Sequence, residues 1–298
     1  MIATPAPSLR HRLAKSGPGW LLAAPAVLWL LIFSVVPIGL MVAMSFWKST
    51  IFGTHPDFVF DNYKRVFGSS LYTGQLLNTL RIAATTTLVS LVVSYPIALL
   101  LARLTGPWKS AFVLLLFVPF WSSYVVRTFV WLPILGRNGV INEALLALGI
   151  IDRPLDVLLY NQGAVLLGLV YVFTLFMTLP IYVTLEKLDP ALLEAANDLG
   201  ARPLQTLVRV IIPLSLPGVM SGSVMVFLLS IGAYITPQLL GGSSSLMFGN
   251  IIASQFLSDN NWAFGSALAV TMMLVVSIIL SVLGRFVGLQ QALLGSSG

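Results

Sequence analysis

In a chain with few charges, the polar groups that could act together gather in one stretch, EAANDLGARPLQTLVRVIIPLSLP, from Glu194 to Pro217. It places two acids, two arginines and several small residues at helical spacing between two oily runs. Catalysis is outside what such groups can do, because no nucleophile stands beside a base and no acid/base pair is set up. Elsewhere the inventory is equally thin. Cysteine is absent and only His11 and His55 could supply imidazole, so no metal-ligand cluster is expected. The chain has no GxxxxGK[ST] phosphate loop, no HExxH and no GxSxG. It is therefore read as no enzyme, with no cofactor of its own. The net charge of +6 is spread without any Lys/Arg block, which excludes a nucleic-acid patch.

Transport chemistry leaves a different mark, since a charge buried in lipid is costly and is kept for a pathway. All carboxylates here fall in loops or at the ends of apolar runs, which weighs against proton or sodium coupling. Arg81 and Arg127 are the exceptions to an uncharged membrane interior. Arg81 lies near a run's outer end, where snorkelling to the interface suffices. Arg127 lies about 17 residues into its run, roughly 25 Å across at 1.5 Å per residue. There it could snorkel or line a cavity. Trp121 and Tyr124 stand close by, either as belt aromatics or as a lining for a cation. With Tyr234, these residues form the candidate substrate pathway: Trp121, Tyr124, Arg127 and Tyr234.

The elements that position these groups are apolar spans. The 298 residues are 57% hydrophobic with a mean hydropathy of +0.95, far above soluble domains. Six runs are long enough to cross a bilayer: Trp20 to Phe46, Asn78 to Ala102, Ser110 to Leu132, Ala164 to Leu185, Leu216 to Thr236 and Gly265 to Leu289. The first is too long for a secretory signal core and is expected to be a retained anchor after a cytoplasmic segment, residues 1–19. With the N-terminus inside, nine Lys and Arg fall in inner segments and five in outer ones, so both termini are expected in the cytoplasm. Pro25, Pro37, Pro96 and Pro119 lie within runs and are expected to kink them. The expectation is one all-α integral membrane domain, residues 1–298, with six spans.

Two outer loops are long enough for structure of their own. Asn138-Gly139 signals a turn, after which Ile141, Ala144, Leu145 and Leu148 mark one helix face. That helix could lie on the bundle or receive an external partner. The loop from Pro237 to Asn250 is a Gly/Ser-rich connector.

The inner loop of about 187–213 has the clearest local logic. Asp189 and Pro190 start a helix, Leu192, Ala195, Ala196 and Leu199 form a stripe, and Gly200 ends it. Pro203 starts a second helix with Leu204, Leu207, Val208 and Ile211 on one face. Pro213 closes that helix and Pro217 begins the fifth span. The balanced charge of this pair of helices suits neither DNA nor a lipid surface; it suits a groove on another protein.

Glu194-Ala195-Ala196, three residues, Gly200, nine residues, then Val210-Ile211-Ile212-Pro213 resembles the EAA motif of binding-protein-dependent ABC importer permeases. Val210 and Ile212 replace Ile and Leu of the family pattern. The stretches VVRTFVWLPILGRNGVIN and NWAFGSALAV are similar to the spermidine/putrescine-type branch. The resemblance implies a type I permease fold with a six-helix core in the bacterial inner membrane. It also implies a second, homologous permease subunit, two cytoplasmic ATPase subunits carrying ATP and magnesium, and an extracytoplasmic substrate-binding protein. Under it, Glu194 and Asp198 face the ATPase groove, Ala195 and Ala196 allow close approach, and Gly200 permits the turn. Leu192, Leu199, Leu204 and Leu207 pack the helix pair. The cargo would be a small polar or cationic solute, polyamine-like or amino-acid- and opine-like. An ion-coupled secondary transporter and a non-transporting membrane scaffold are the competing readings.

Overall fold

With no water to satisfy backbone groups, an apolar run in a bilayer must pair its N–H and C=O groups within itself, and helices do so. The computed structural model describes residues 17–50, 53–243 and 245–295, with the side chains of 17–22 and 286–295 outside that description. The first 16 residues of the N-terminal segment and its three basic residues thus lie outside the described part.

The first span comprises α1 (Gly17–Leu30) and α2 (Val36–Met44), joined by a π turn over Leu31–Val35. A short hairpin follows, β1 (Lys48–Thr50) pairing antiparallel with β2 (Gly53–His55), an addition to the all-helical expectation. Next come α3 (Asp61–Gly68), the long α4 (Ser70–Arg103) and α5 (Pro107–Phe117). After a 3-10 turn at Val118–Trp121 the chain continues as α6 (Tyr124–Phe129), α7 (Trp131–Leu135) and α8 (Val140–Ala147). The remaining helices are α9 (Gln162–Glu186), α10 (Pro190–Asp198), α11 (Pro203–Thr206), α12 (Ile212–Ile231), α13 (Ile235–Leu240), α14 (Phe248–Leu257) and α15 (Trp262–Gly295).

Among the described residues, five helices are long and apolar enough to span a bilayer, and a sixth crossing requires counting a broken pair, Pro107–Trp121 with Tyr124–Ala147, bent by 93°. The third run is therefore not the straight rod expected from Ser110 to Leu132. Pro119 removes an N–H, the chain tightens into the 3-10 turn, and Ser122 is extended. Prolines elsewhere are absorbed differently. Before Pro37 and again before Pro213, one i→i+5 bond widens the helix: Val36 N–H to Leu31 O, and Ile212 N–H to Leu207 O. The helix then runs on past a residue that cannot donate. Pro213 accordingly does not close a helix and Pro217 does not begin one. Pro203 to Ile231 is one continuous 29-residue rod.

Helix α9 is the central post, packed against both α4 and α12, which also touch each other. In lipid, association depends on close packing of small residues more than on apolar burial. Helix α12 turns Ser215, Gly218, Gly222, Val226 and Ser230 inward, and α4 turns in Thr79, Ala83, Thr86, Ser90, Ser94 and Ala98. A β-carbon on Gly218 would stand 2.5 Å from the Pro180 carbonyl oxygen, and one on Gly222 would stand 2.9 Å from Met177 Sδ. Hydroxyls inside the spans return to the carbonyl one turn back, as Thr79, Thr87 and Thr178 do at 2.8 Å. Ser94 bonds across to the Thr174 carbonyl at 3.1 Å, and Tyr95 meets Ser215 at 2.9 Å.

A second cluster forms around Val66, Phe248, Phe264 and Leu268, with the Arg65 guanidinium 4.2 Å above the Phe264 ring. In the loop after the broken span, α8 turns in Ile141, Leu145 and a buried Asn142. Leu148 and Ala144 of the expected stripe are exposed. Asn142 pins the loop by donating to the carbonyls of Gly136 and Leu155, both at 3.1 Å, and accepting from Leu155 N–H at 2.7 Å.

Because the Gly218 contact is with backbone, Gly218→Ala should destabilise the protein by about 1–3 kcal/mol through overpacking. Gly74→Ala, at an exposed position of α4 with open space around it, should be neutral or slightly stabilising, by up to about 1 kcal/mol. Thermal unfolding of the detergent-solubilised protein, followed by size-exclusion recovery, checks the pair; equal melting of the two variants would refute the close-packing account.

Candidate functional site

Two regions collect the polar groups singled out in the sequence, and they lie at different places in the fold. The first is the loop between α9 and α12. Asp189 caps α10 as expected, its carboxylate accepting from Ala191 N–H at 3.0 Å, with Pro190 in the first turn. Gly200 ends α10 with φ +77°. Around it Ala201 N–H donates to Ala196 O at 3.0 Å and Gly200 N–H to Asn197 O at 2.8 Å, a Schellman motif that satisfies two terminal carbonyls. Gln205 reaches back to accept from Arg202 N–H at 2.9 Å, and Thr206 is buried beneath it. Local chemistry thus folds the turn without help from the rest of the chain.

Packing of this helix pair differs from the expectation. Leu193 and Leu207, with Leu188, rest on the main core. Leu192 is exposed, Leu199 is 88% exposed and Leu204 71% exposed, so these three do not pack the pair. Helix α10 turns one narrow edge, Leu193 and half-buried Ala196, to the bundle; its stripe points away. Glu194, Ala195 and Asp198 are exposed as well, and among the described residues neither acid forms an ion pair. The result is a capped, rigid projection whose outward face carries three leucines, two acids and an alanine. Helical periodicity alone marks a face as special without saying whether its partner is the chain's own core.

The second region is where two interrupted spans meet. The third breaks at Ser122–Ser123. The fifth ends at Ile231, earlier than Thr236, and restarts at Ile235 after Gly232, Ala233 and Tyr234. The restarting segments touch: Tyr124 Oη lies 2.7 Å from Thr236 Oγ1, and Thr128 Oγ1 lies 3.4 Å from the same atom. Gly168 of α9 makes room for this junction, since a β-carbon there would meet Leu240 at 2.6 Å and Thr236 at 2.8 Å. Tyr124 stacks on Phe173 at 6.3 Å, and Asn250 donates to the Tyr234 carbonyl at 2.7 Å. Irregular backbone at membrane depth is tolerated where it lines a cavity or is buried in protein, so these facing breaks are the strongest structural candidate for a pathway element.

Of the predicted pathway set, Tyr124 and Tyr234 sit at this junction. Trp121 is 77% exposed and Arg127 turns to the Phe120 ring, 4.2 Å from its centroid, with Nε buried and unpartnered among the described residues. The depth of roughly 25 Å for Arg127 assumed a straight helix, and the 93° bend removes that assumption. Thr128, Thr236 and Asn250 were missed. A threonine in an oily run reads as an ordinary helix residue, and only its cross-span partner shows otherwise.

The fold is that of type I ABC importer permeases. A bacterial ABC transporter involved in import of the acidic polysaccharide alginate aligns with a TM-score of 0.71 at 18% identity, covering 93% of this chain and 98% of that one. A second alginate transporter structure, in complex with an alginate pentasaccharide-bound periplasmic protein, gives 0.69 at 19% identity. In sequence, the chain is 39% identical over 258 residues to the spermidine/putrescine transport system permease protein PotB of Escherichia coli K12, covering 86% of this chain and 93% of that protein. It is 35% identical over 259 residues to the PotB of Haemophilus influenzae. A putative 2-aminoethylphosphonate permease, PhnU of Salmonella paratyphi A, is 28% identical over 280 residues. The family model of the binding-protein-dependent transport system inner membrane component matches residues 16–289, and with these relatives it places the chain in that family, as a transmembrane permease subunit of an ABC importer.

Proposed function

We propose that this permease imports a polyamine or a closely similar small cation, and that an ATPase drives it through the 187–213 loop. The observation that carries the coupling half is the outward leucine face on a Schellman-capped helix, a surface with no occupant among the described residues. Such a face fits a helix-in-groove contact. Glu194 and Asp198 would orient it there, Ala195 would let the backbones approach, Ala196 would seat the helix on its own bundle, and ATP and magnesium would sit on the motor subunits. A second permease subunit completes the pathway, and a substrate-binding protein delivers cargo on the opposite face. Both termini and the 187–213 loop then lie in the cytoplasm, in line with the Lys/Arg bias.

Substrate class rests on the relatives. Identity to the spermidine/putrescine permeases reaches 35–39% over most of both chains, against 28% for the aminoethylphosphonate one. Aromatic faces such as Tyr124 suit a desolvated ammonium. No carboxylate of this chain sits inside a span, so full neutralisation of a polyamine falls to the partner permease. The reading is tested by mass spectrometry of the ligand retained by the cognate binding protein and by uptake of labelled putrescine and spermidine into proteoliposomes. An acidic or neutral ligand there, with no polyamine uptake, would overturn it.

Two further outcomes follow for the loop. Leu199→Asp with Leu204→Asp should strip the motor from the purified permease. Each leucine buried in a groove contributes about 1.5–3 kcal/mol; pull-down with the tagged permease reads the loss, and full retention would sink the assignment of this face. At Gly200 a side chain has space but a φ disfavoured by roughly 1–2 kcal/mol. Gly200→Val should leave the protein in the membrane yet lower uptake per ATP by about tenfold. Gly200→Asn, which tolerates a left-handed conformation, should stay near the parent; unimpaired coupling in the valine variant would refute the role of the turn.

A further inference from the structure

At the end of the bundle that carries the 187–213 loop, one ion pair joins two spans distant in the chain. Lys109, in the first turn of α5, places Nζ 2.6 Å from Oε1 of Glu186, the last residue of α9. The same ammonium lies 5.8 Å from the centroid of the Tyr182 ring, one turn earlier on α9, and Tyr182 is buried in the main core. The other described ion pairs are local or loop-bound: Lys64–Asp61 is three residues apart, and Arg137–Asp156 is exposed.

Glu186 stands only three residues before Asp189, the cap of α10. That link has little slack, since Leu185 is buried, Leu188 N–H donates to Leu185 O at 3.2 Å, and Leu188 packs on the core. Lys109 opens the other side of the pair. Helix α5 contains no buried residue, and its far end runs into the 3-10 turn and the break at Ser122–Ser123. The eight-residue step from Lys109 to its end at Phe117 makes it an arm of about 12 Å. A helix that rests on the main core through half-buried Val113 and Leu116 is thus held near one end by a short charge-assisted bond and leads, at the other, through the 3-10 turn to the Tyr124–Thr236 junction.

We propose that Lys109 and Glu186 are a positioning pair for energy coupling: a strut through which displacement of α10 swings α5 and so moves the break in the third span. This rests on the reading of the 187–213 loop as the motor-facing element. Partly exposed ion pairs contribute little to stability, but a short N–H···O bond between charges restricts relative position. The role of the pair is therefore geometric, to keep α5 in step with the end of α9.

The test uses the assembled importer in proteoliposomes, comparing Glu186→Gln, Lys109→Glu, Glu186→Lys and the charge swap Lys109→Glu/Glu186→Lys. Two quantities are read, uptake per ATP hydrolysed and the amount of ATPase that co-purifies. The single variants should keep the motor but lose about fivefold or more in uptake per ATP, and the swap should restore coupling to within about twofold of the parent. Parental uptake per ATP in the single variants would overturn the proposal. So would a defect that the swap leaves unrepaired while the motor stays bound. Glu186→Gln, which keeps the side chain's shape, decides alone if a reversed charge prevents accumulation in the membrane. Absence of the motor from the unaltered chain would instead refute the reading of the loop, so the two failures are distinguishable.

Discussion

Gly218 and Gly222 have no room for a side chain because α9 occupies it, with the Pro180 carbonyl and the Thr184 side chain against the first and Met177 against the second. That closeness is the constraint on which the rest depends. Lipid gives helices no hydrophobic reason to associate, so α4 and α12 close on α9 with faces made largely of glycine, alanine, serine and threonine, which receive its bulkier side chains such as Leu169, Phe173, Met177 and Ile181. Once the three are locked, α9 becomes a post of fixed length. One end carries the capped helix α10, and the side of the post offers Gly168 as a seat for the restarting segment of the fifth span. Both functional regions are therefore positioned by the same element.

Two kinds of proline accommodation divide the labour around that post. Where a π turn precedes proline, at Pro37 and Pro213, the rod continues and can transmit motion along its length. Where a 3-10 turn and an extended serine surround proline, at Pro119, the rod ends and the chain turns by 93°. The Pro119 carbonyl is met there by Ser122, whose Oγ donates to it at 2.8 Å and whose N–H donates at 3.3 Å.

Much of this was legible in the amino-acid sequence, for reasons that are local. Run length against bilayer thickness marked the spans, and Asp189, Pro190 and Gly200 marked both ends of α10 because caps act within a few residues. The EAA pattern identified the family for the same reason, as its spacing lies within one continuous segment. What failed were inferences that extrapolated a local rule. A depth for Arg127 presumed a straight helix through Pro119. Closure at Pro213 presumed that a missing N–H must end a helix. Packing by Leu192, Leu199 and Leu204 presumed that an apolar stripe belongs to its own chain's core.

The sequence by itself determined that this protein crosses a membrane as helices, where α10 begins and turns, and which family it belongs to, since each depends on composition or on neighbours along the chain. Only the tertiary structure decided which residues meet across spans. Lys109 finds Glu186, Tyr124 finds Thr236 and Asn250 finds the Tyr234 carbonyl, pairs separated by 77, 112 and 16 positions in the numbering. Periodicity states which side of a helix is distinct; the close approach of helices, set by where glycines permit it, determines what that side touches.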